Sequence, residues 1–551
     1  MVFPIRKARP YVGWALLLFV VLFWRLGVPT FWDPDEAHYA ETTRELIRTG
    51  DWATPYYNEQ PFFDKPILFH LLQAVPMASL GSTELAARLV PALAALALVG
   101  ITAWLGATLA GADVGVVAAL LLAVSPGLFA LARYAILDTV FTAFLFGGAS
   151  LVTVSALADR RRLQWAGYVA IALAVLTKGP LAIALCGLAF LLAIAMSGDA
   201  RRRLLRLHWI AGLLLVVAIA APWFLSMWHR WDRAFVEGYV LNENLRLFGT
   251  SMYARQPGFW FYFQILAAGL LPWTALLIGR VYDDVRRTIR RNSPDTFEIL
   301  LLAWTIAVVG LFTLSKFKLD HYVFPAAPSL CLVCARAWAD VRARPLDPLN
   351  AGARVGLHLL GPLLVAVGAG GGYFLIVRLE LPFAAMVVPL VLILSGAWIT
   401  ARQNLWFNGP PRIPWMTLAA ITVTYAGIVL WVMPALEQRK VVPDLARWVV
   451  ARASMTDRVA TYRLNRWNTA FRFYVDRHTV VLESPEEARE FFARPGPFYC
   501  AMLARAYDEF VAQGVPLRVV YAREGMSATS GRVLWRRHVP ATEFVIVTRA
   551  P

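Results

Sequence analysis

Long apolar runs recur along this chain from residue 11 to residue 433, separated by short polar segments, and this recurrence restricts the fold more than any other feature. A helix needs roughly 20 apolar residues to cross the hydrocarbon core of a bilayer, and fewer when it is tilted or sits inside a bundle. Runs of that kind lie near 11–28, 85–110, 114–131, 139–157, 163–176, 180–196, 207–226, 259–278, 297–314, 321–338, 355–377, 382–399 and 414–433, the shortest being 163–176. They predict a polytopic α-helical membrane protein with about thirteen transmembrane helices. Composition agrees, since 59% of residues are hydrophobic and 16% charged, outside the usual range of soluble globular chains.

A formal charge of +17 would suit a polyanionic partner, so the location of the basic residues decides what it means. Cytoplasmic loops of membrane proteins carry the excess of arginine and lysine. Here the clusters fall in every second loop: Arg160 to Arg162; Arg201 to Arg203 with Arg206; Arg280, Arg286, Arg287, Arg290 and Arg291; Arg342, Arg344 and Arg354; Arg402 and Arg412. The alternation accounts for much of the charge without nucleic acid and predicts a cytoplasmic N-terminus. Arg6, Lys7 and Arg9 precede the first run and no small-residue cleavage site follows it, so it reads as a signal anchor retained as the first helix. The opposite loops, 31–84, 132–138, 227–258 and 315–320, then converge on the outer face. Segment 67–80 is short and interrupted by proline, which predicts an interfacial helix.

After Pro434 the pattern changes to short alternating runs, V-A-T-Y-R, F-R-F-Y-V, T-V-V-L, L-R-V-V-Y, V-L-W-R and F-V-I-V-T, interleaved with the helix-like S-P-E-E-A-R-E-F-F-A and A-Y-D-E-F-V-A-Q-G. The chain divides accordingly into a membrane part, 1–434, and a small extracytoplasmic α/β domain, 435–551. Four cysteines are too few for a disulfide framework, and the C-x-x-C of Cys331 and Cys334 lies in an apolar run that predicts helix packing.

The polar loops carry the chemistry. In F-W-D-P-D-E-A-H-Y-A-E, Asp33 can cap a helix with Pro34 at its first position and Glu36 completing a capping box, which leaves Asp35 without a structural duty. Asp35 is therefore the candidate base, able to take a proton from an acceptor hydroxyl. Glu36 and Asp138, the latter in A-R-Y-A-I-L-D-T, complete the candidate catalytic acids; Asp138 reads equally as a helix cap. His38 and Tyr39, within a turn of Asp35, are candidates for orienting a substrate. Lys65, Arg246, Lys316 and Lys318, with His321 and Tyr322 in S-K-F-K-L-D-H-Y, suit an anionic group held as a leaving phosphate. Asp64 either pairs with Lys65 or helps to hold a divalent cation on that phosphate.

The segments W-D-P-D-E-A-H-Y-A-E, G-D-W-A-T-P, F-F-D-K-P, A-R-Y-A-I-L-D-T and S-K-F-K-L-D-H-Y-V-F-P-A-A-P, in this order, resemble the bacterial 4-amino-4-deoxy-arabinose lipid A transferases and the related protein O-mannosyltransferases of the GT-C superfamily. The resemblance implies a cell-envelope enzyme of the bacterial cytoplasmic membrane. It would perform an inverting transfer of sugar from a polyprenyl-phosphate donor such as undecaprenyl phosphate to a glycolipid, glycan or protein, lipid A modification included. It implies Asp35 as base, Asp64 and Lys65 at the donor phosphate and a metal, Asp138 as the second-loop acid, and Lys318 and His321 in a motif of the tenth span. The chain departs from the family pattern at Asp64, where glutamate is usual, at Asn242 and Asn244, where histidines are usual, and at His38, where an arginine often stands; a divalent metal is thus only a candidate cofactor. A secondary transporter or lipid flippase would also need many spans. Its ionisable residues would sit near the bilayer midplane in related halves, whereas these acids gather at one surface of unlike halves.

Overall fold

The computed structural model describes residues 5–550 apart from 33, 247–248, 250–256, 291–293, 405–412, 465–467 and 527–540. The apolar runs fall largely on helices, although the first helix, Ile5–Leu22, stops short of residue 28 and the run 355–377 is divided among Ala351–His358, Leu360–Gly372 and Tyr373–Arg378. Among the described residues eight helices are long and apolar enough to cross a bilayer, or ten when two bent pairs count as one span each. The bent pairs are Ala112–Ala123 with Pro126–Ala132, at 63°, and Phe261–Gly269 with Thr274–Ile289, at 117°. At the first bend Ser125 caps the second helix, accepting from the Leu128 N–H at 3.3 Å, and Pro126 has no N–H to extend the ladder. Leu163–Lys178 and Leu181–Met196 are shorter apolar helices, as is Leu68–Leu80 in the segment expected to be interfacial.

Two helices form the centre of the bundle. Asp138–Leu157 has 72% of its apolar window buried and Asp320–Ala343 has 83%, against 22% for Trp209–Glu243. Leu122, Leu145, Val152, Val308 and Leu332 pack in one continuous core between them. Small residues permit a tight crossing here: a Cβ on Gly148 would lie 2.8 Å from the Gly167 carbonyl oxygen. Cys331 and Cys334 are both buried in this core.

The first polar loop folds into the helix Asp35–Thr49, the hairpin of β1 (Tyr56–Tyr57) and β2 (Gln60–Pro61), and the helix Leu68–Leu80. Asn58 and Glu59 turn the hairpin with φ of 55° and 65°, and their N–H groups donate to the Glu45 carboxylate at 2.8 and 2.9 Å. Beyond the last membrane helix lie β3 (Arg458–Tyr462), β4 (Val480–Leu482), β5 (Phe498–Leu503), β6 (Leu517–Met526) and β7 (Ala541–Arg549), in the spatial order β4-β3-β5-β7-β6. β3 runs parallel to β4 and β5, and β7 runs antiparallel to β5 and β6.

One expectation for this region changes: F-R-F-Y-V is part of the helix Asn468–Val475. The run V-L-W-R lies outside the described residues. The alternation misleads because this helix is wedged between two partners. Ala470 and Phe471 are buried, and so is Arg472, which reaches Glu45 at 2.7 Å, while Tyr474 donates to Glu84 at 2.7 Å, so polar residues occupy packed positions and the short run reads as an alternation. Phe31, Ala37, Ala40 and Ala135 share a core with Leu445, Phe471, Phe473 and Ile546, which joins the sheet region to the loops 31–84 and 132–138.

Glu36 also differs from expectation. Its fully buried carboxylate accepts from Arg88 Nε at 2.7 Å, Arg88 Nη2 at 2.8 Å, the Trp32 N–H at 2.9 Å and the Ala135 N–H at 2.7 Å. Arg88 further donates to the carbonyls of Leu26, Pro29 and Thr30. The helix starts at Asp35 with Pro34 before it and no side-chain cap, and Asp33 lies outside the described residues. Replacing Arg88 with Met should lower stability by about 3–5 kcal/mol by stranding a buried carboxylate. Replacing Arg230, which pairs with Asp51 at the surface at 3.0 Å, should change it by less than about 1 kcal/mol. Thermal unfolding of both variants in detergent checks the difference, and equal shifts would contradict the structural role of Arg88.

Candidate active site

The acids of these polar loops sit where helices begin. Asp35 opens Asp35–Thr49, Asp138 opens Asp138–Leu157, and Asp320 opens the 3₁₀ turn Asp320–Ala326. Exposed N–H groups at these starts favour negative charge. Lys178 closes Leu163–Lys178, where Gly179 turns the chain with φ of 94°. Lys65 follows the hairpin, and Phe63 anchors it against Phe235, ring centroids 5.4 Å apart. Gly238, whose missing Cβ would lie 3.2 Å from the Phe63 ring, lets the π-helical turn Val236–Arg246 approach and bring Glu243 to Lys65.

Three ionic groups result. Lys65 Nζ lies 2.6 Å from Asp64 Oδ1 and 3.1 Å from Glu243 Oε2. Lys178 pairs with Asp138 and stands 4.4 Å over the Tyr322 ring. His321 joins Asp138 to Asp320, with Nε2 3.6 Å from Asp138 Oδ2 and Nδ1 3.2 Å from Asp320 Oδ1. A pocket of about 670 Å³ opens between the two lysines, lined on its polar side by Asp64, Lys65, Lys178, Glu243 and Tyr322. Leu181, Leu311, Phe312 and Phe317 make its apolar side. A cationic end continued by an apolar wall suits a lipid phosphate.

Asp35 is half-buried beside this pocket, within 3.5 Å of the Tyr134 hydroxyl, which donates to it. Burial raises its carboxyl above the ordinary value; His321 opposes the shift, and Asp138, Asp320 and Asp64 add to it. Burial works on Asp64 in the same sense, yet Lys65 outweighs it and holds that carboxyl below its usual range. Burial would lower the Lys65 ammonium, but Asp64 and Glu243 keep it above the ordinary lysine value and charged. Tyr39 is raised by burial and by Asp64, Asp138 and Asp35, so it lies among the acids. His38 stacks on Tyr57 at 4.6 Å, and burial lowers its imidazole and keeps it neutral.

The structure therefore gathers Asp35, Tyr39, Asp64, Lys65, Asp138, His321 and Tyr322, with His38 in the adjoining aromatic wall. It does not gather the rest. Glu36 has every acceptor position occupied and is a tie between loops rather than a catalytic acid. Arg246 is exposed and donates to Asn242 Oδ1 at 2.7 Å, outside the pocket lining. Lys316 is exposed and Lys318 half-buried, and neither lines the pocket, although their neighbours Ser315 and Phe317 do.

Lys178 lines the pocket where those cations were expected, Glu243 joins Asp64 at Lys65, and neither stands out in the sequence. The alternation of basic loops predicts that the end of the fifth span shares a face with loop 31–84, which was the available signal for Lys178. The donor set does not fit a divalent ion: Asp64 and Glu243 are both engaged by the Lys65 ammonium, and among the described residues no three His, Cys, Asp or Glu side chains cluster closely enough.

Residues 12–232 match the family model of dolichyl-phosphate-mannose-protein mannosyltransferases. The chain is similar to the undecaprenyl phosphate-alpha-4-amino-4-deoxy-L-arabinose arabinosyl transferase of Edwardsiella ictaluri, 29% identical over 337 residues, which cover 59% of each chain. Transferase 2 of the same description from Pseudomonas fluorescens is 29% identical over 444 residues, 76% of this chain and 73% of the relative. The chain spans about three-fifths of the length of the first of these relatives. Its fold matches the crystal structure of ArnT from Cupriavidus metallidurans bound to undecaprenyl phosphate with a TM-score of 0.76 at 19% identity, covering 98% of both chains. The Archaeoglobus fulgidus oligosaccharyltransferase tethered with an acceptor peptide follows with a TM-score of 0.51 at 13% identity, covering 91% of this chain and 67% of that one. The chain is thus a polytopic membrane protein whose fold is that of the ArnT crystal structure and whose sequence is similar to the bacterial aminoarabinose transferases and, over residues 12–232, to the protein mannosyltransferases.

Proposed function

We propose that the chain is an inverting glycosyltransferase that moves a sugar from a polyprenyl-phosphate-linked donor to a hydroxyl acceptor. The observation that carries this reading is the amphipathic pocket with Lys65 and Lys178 at its polar end, next to the half-buried carboxylate of Asp35. The lipid phosphate binds between the two ammonium groups and its chain follows the apolar wall. Asp35 accepts the proton of the acceptor hydroxyl as its oxygen attacks the anomeric carbon. The bond from that carbon to the phosphate oxygen breaks, the electron pair leaves with the polyprenyl phosphate, and the lysines neutralise the departing charge. No step passes through a metal.

The names of the similar transferases make an aminoarabinose-type sugar on undecaprenyl phosphate, with a lipid A-like glycolipid as acceptor, the first pair to assay. In the same reading the chain crosses the cytoplasmic membrane of a bacterium thirteen times, 1–434 is the catalytic membrane part, and 435–551 is an extracytoplasmic domain over the outer loops. The basic residues in alternate loops and the shared core of Phe31, Ala135 and Phe471 support that arrangement. Clustering of Asp35, Asp64 and Asp138 at one end of the bundle disfavours a transporter, whose ionisable groups belong near the midplane.

Asp35→Asn should lower turnover by about 10²–10⁴-fold while donor lipid still binds. Mass spectrometry of the glycolipid product measures it, and near wild-type turnover would remove Asp35 as base. The acid limb of the kcat/KM profile should lie above the ordinary carboxyl value of 3.8, because the reaction needs Asp35 ionised and burial raises it. For stability the sign is the reverse. A carboxyl with a raised folded-state pKa favours folding below the unfolded value and loses that contribution as pH rises through the folded value. Asp35→Asn should therefore raise the thermal midpoint at neutral pH, with the gain vanishing in acid. Lys65→Met should raise the KM for donor lipid by about 10–100-fold, the loss of one charged hydrogen bond to phosphate. An unchanged KM would put the phosphate elsewhere.

A further inference from the structure

A second polar cavity lies at the other end of the helix that carries Asp138. It has a volume of about 720 Å³ and is lined by Ser155, Arg161, Asp199, Arg202, Arg203 and Arg206, among others. Ser155 is 17 positions along Asp138–Leu157 from its start, so at a rise of about 1.5 Å per residue the two sites are separated by about 26 Å, close to a bilayer core.

The charges at this cavity do not cancel. Asp159 holds Arg161 at 3.2 Å, and Asp199 holds Arg203 at 2.8 Å. Arg203 also donates to the Leu157 carbonyl at 3.2 Å, and Thr296 donates to Asp199 at 2.7 Å, which fixes the rim. Arg202 makes only a long 3.4 Å bond to the Gly198 carbonyl through its Nε, and Arg206 forms no ion pair among the described residues. Four guanidinium groups thus face two carboxylates. A basic loop explains why arginines are present, but not why they ring one cavity. An independent observation comes from the floor: Ser155 is 1% exposed, lines the cavity, and its hydroxyl has no hydrogen-bond partner. A buried hydroxyl without a partner is costly, and an oxyanion above it would satisfy it.

The cavity borders lipid-facing surface. Leu205 is 59% exposed and Ile210 is 81% exposed, at the start of the helix Trp209–Phe235, whose apolar window is mostly unburied. A phosphate in the cavity could therefore continue into acyl chains along that helix.

We infer that this cavity is a binding site for the phosphate group of an anionic phospholipid, at the end of the bundle opposite the candidate active site. The phosphate sits between Arg202, Arg203 and Arg206 and accepts from Ser155; the acyl chains lie along Leu205 and Ile210. Basic pockets between membrane helices are suited to such headgroups, each arginine contributing electrostatically to retention.

Native mass spectrometry of the full chain, released from detergent and titrated with phosphatidylglycerol, phosphatidylcholine or inorganic phosphate, tests this. The wild type should retain phosphatidylglycerol in preference to phosphatidylcholine, and the double variant Arg202→Gln with Arg206→Gln should weaken that retention by about 10–30-fold. Both arginines are exposed, so the double variant should keep the wild-type thermal midpoint, which is measured alongside; Ser155→Ala should give a smaller loss in the same direction. Equal retention of phosphatidylglycerol by wild type and a folded double variant would overturn the site. Retention of inorganic phosphate with no preference between the two lipids would overturn the lipid as its occupant.

Discussion

A single buried carboxylate, Glu36, determines how the polar loops at this end of the bundle meet. It accepts hydrogen bonds from the chain before it at Trp32, from the second loop at Ala135, and from Arg88 on the helix Glu84–Ala110. Arg88 in turn binds the carbonyls at Leu26, Pro29 and Thr30, which leave the first helix. One ion pair therefore ties three separate segments together. It directs Asp35, the preceding residue, toward Tyr134, the residue before Ala135. Desolvating two charges is expensive, and here nearly every lone pair and donor is used, the condition under which such a pair holds a geometry.

The C-terminal region buttresses the helix Asp35–Thr49. Arg472 lies between Glu41 and Glu45, and Arg44 donates to the Phe473 carbonyl at 2.8 Å. Glu45 also receives both N–H groups of the hairpin turn, so the segment leading to Asp64 and Lys65 is held by the same carboxylate that meets Arg472. A site made of loops becomes rigid because each loop is bonded to a neighbour from another part of the chain.

Within the pocket the carboxylates have divided tasks. Asp64 and Glu243 hold the Lys65 ammonium in place, and Asp138 holds Lys178. Asp35 has no cationic partner within ion-pair distance among the described residues, and burial raises its proton affinity. That combination suits a proton acceptor, since a carboxylate already neutralised by a lysine is a weaker base.

Much of this was legible in the sequence. Apolar run length alone located the helices, because crossing a bilayer without water requires every backbone group to be bonded within a helix, and that demand is local. Asp35, Asp64 with Lys65, and Asp138 also stood out, since charge is conspicuous between apolar runs. Which charges face each other was not local. The sequence could not tell that Glu36 bonds Arg88 52 positions away, that Lys178 rather than Lys318 enters the pocket, or that F-R-F-Y-V is helical. Those outcomes depend on the angles at which helices cross and on which side chains meet once they do. The sequence by itself determined the helical membrane architecture and the acids at one surface; tertiary packing alone decided which ions pair, because the energy of an ion pair depends on distance and burial rather than on position along the chain.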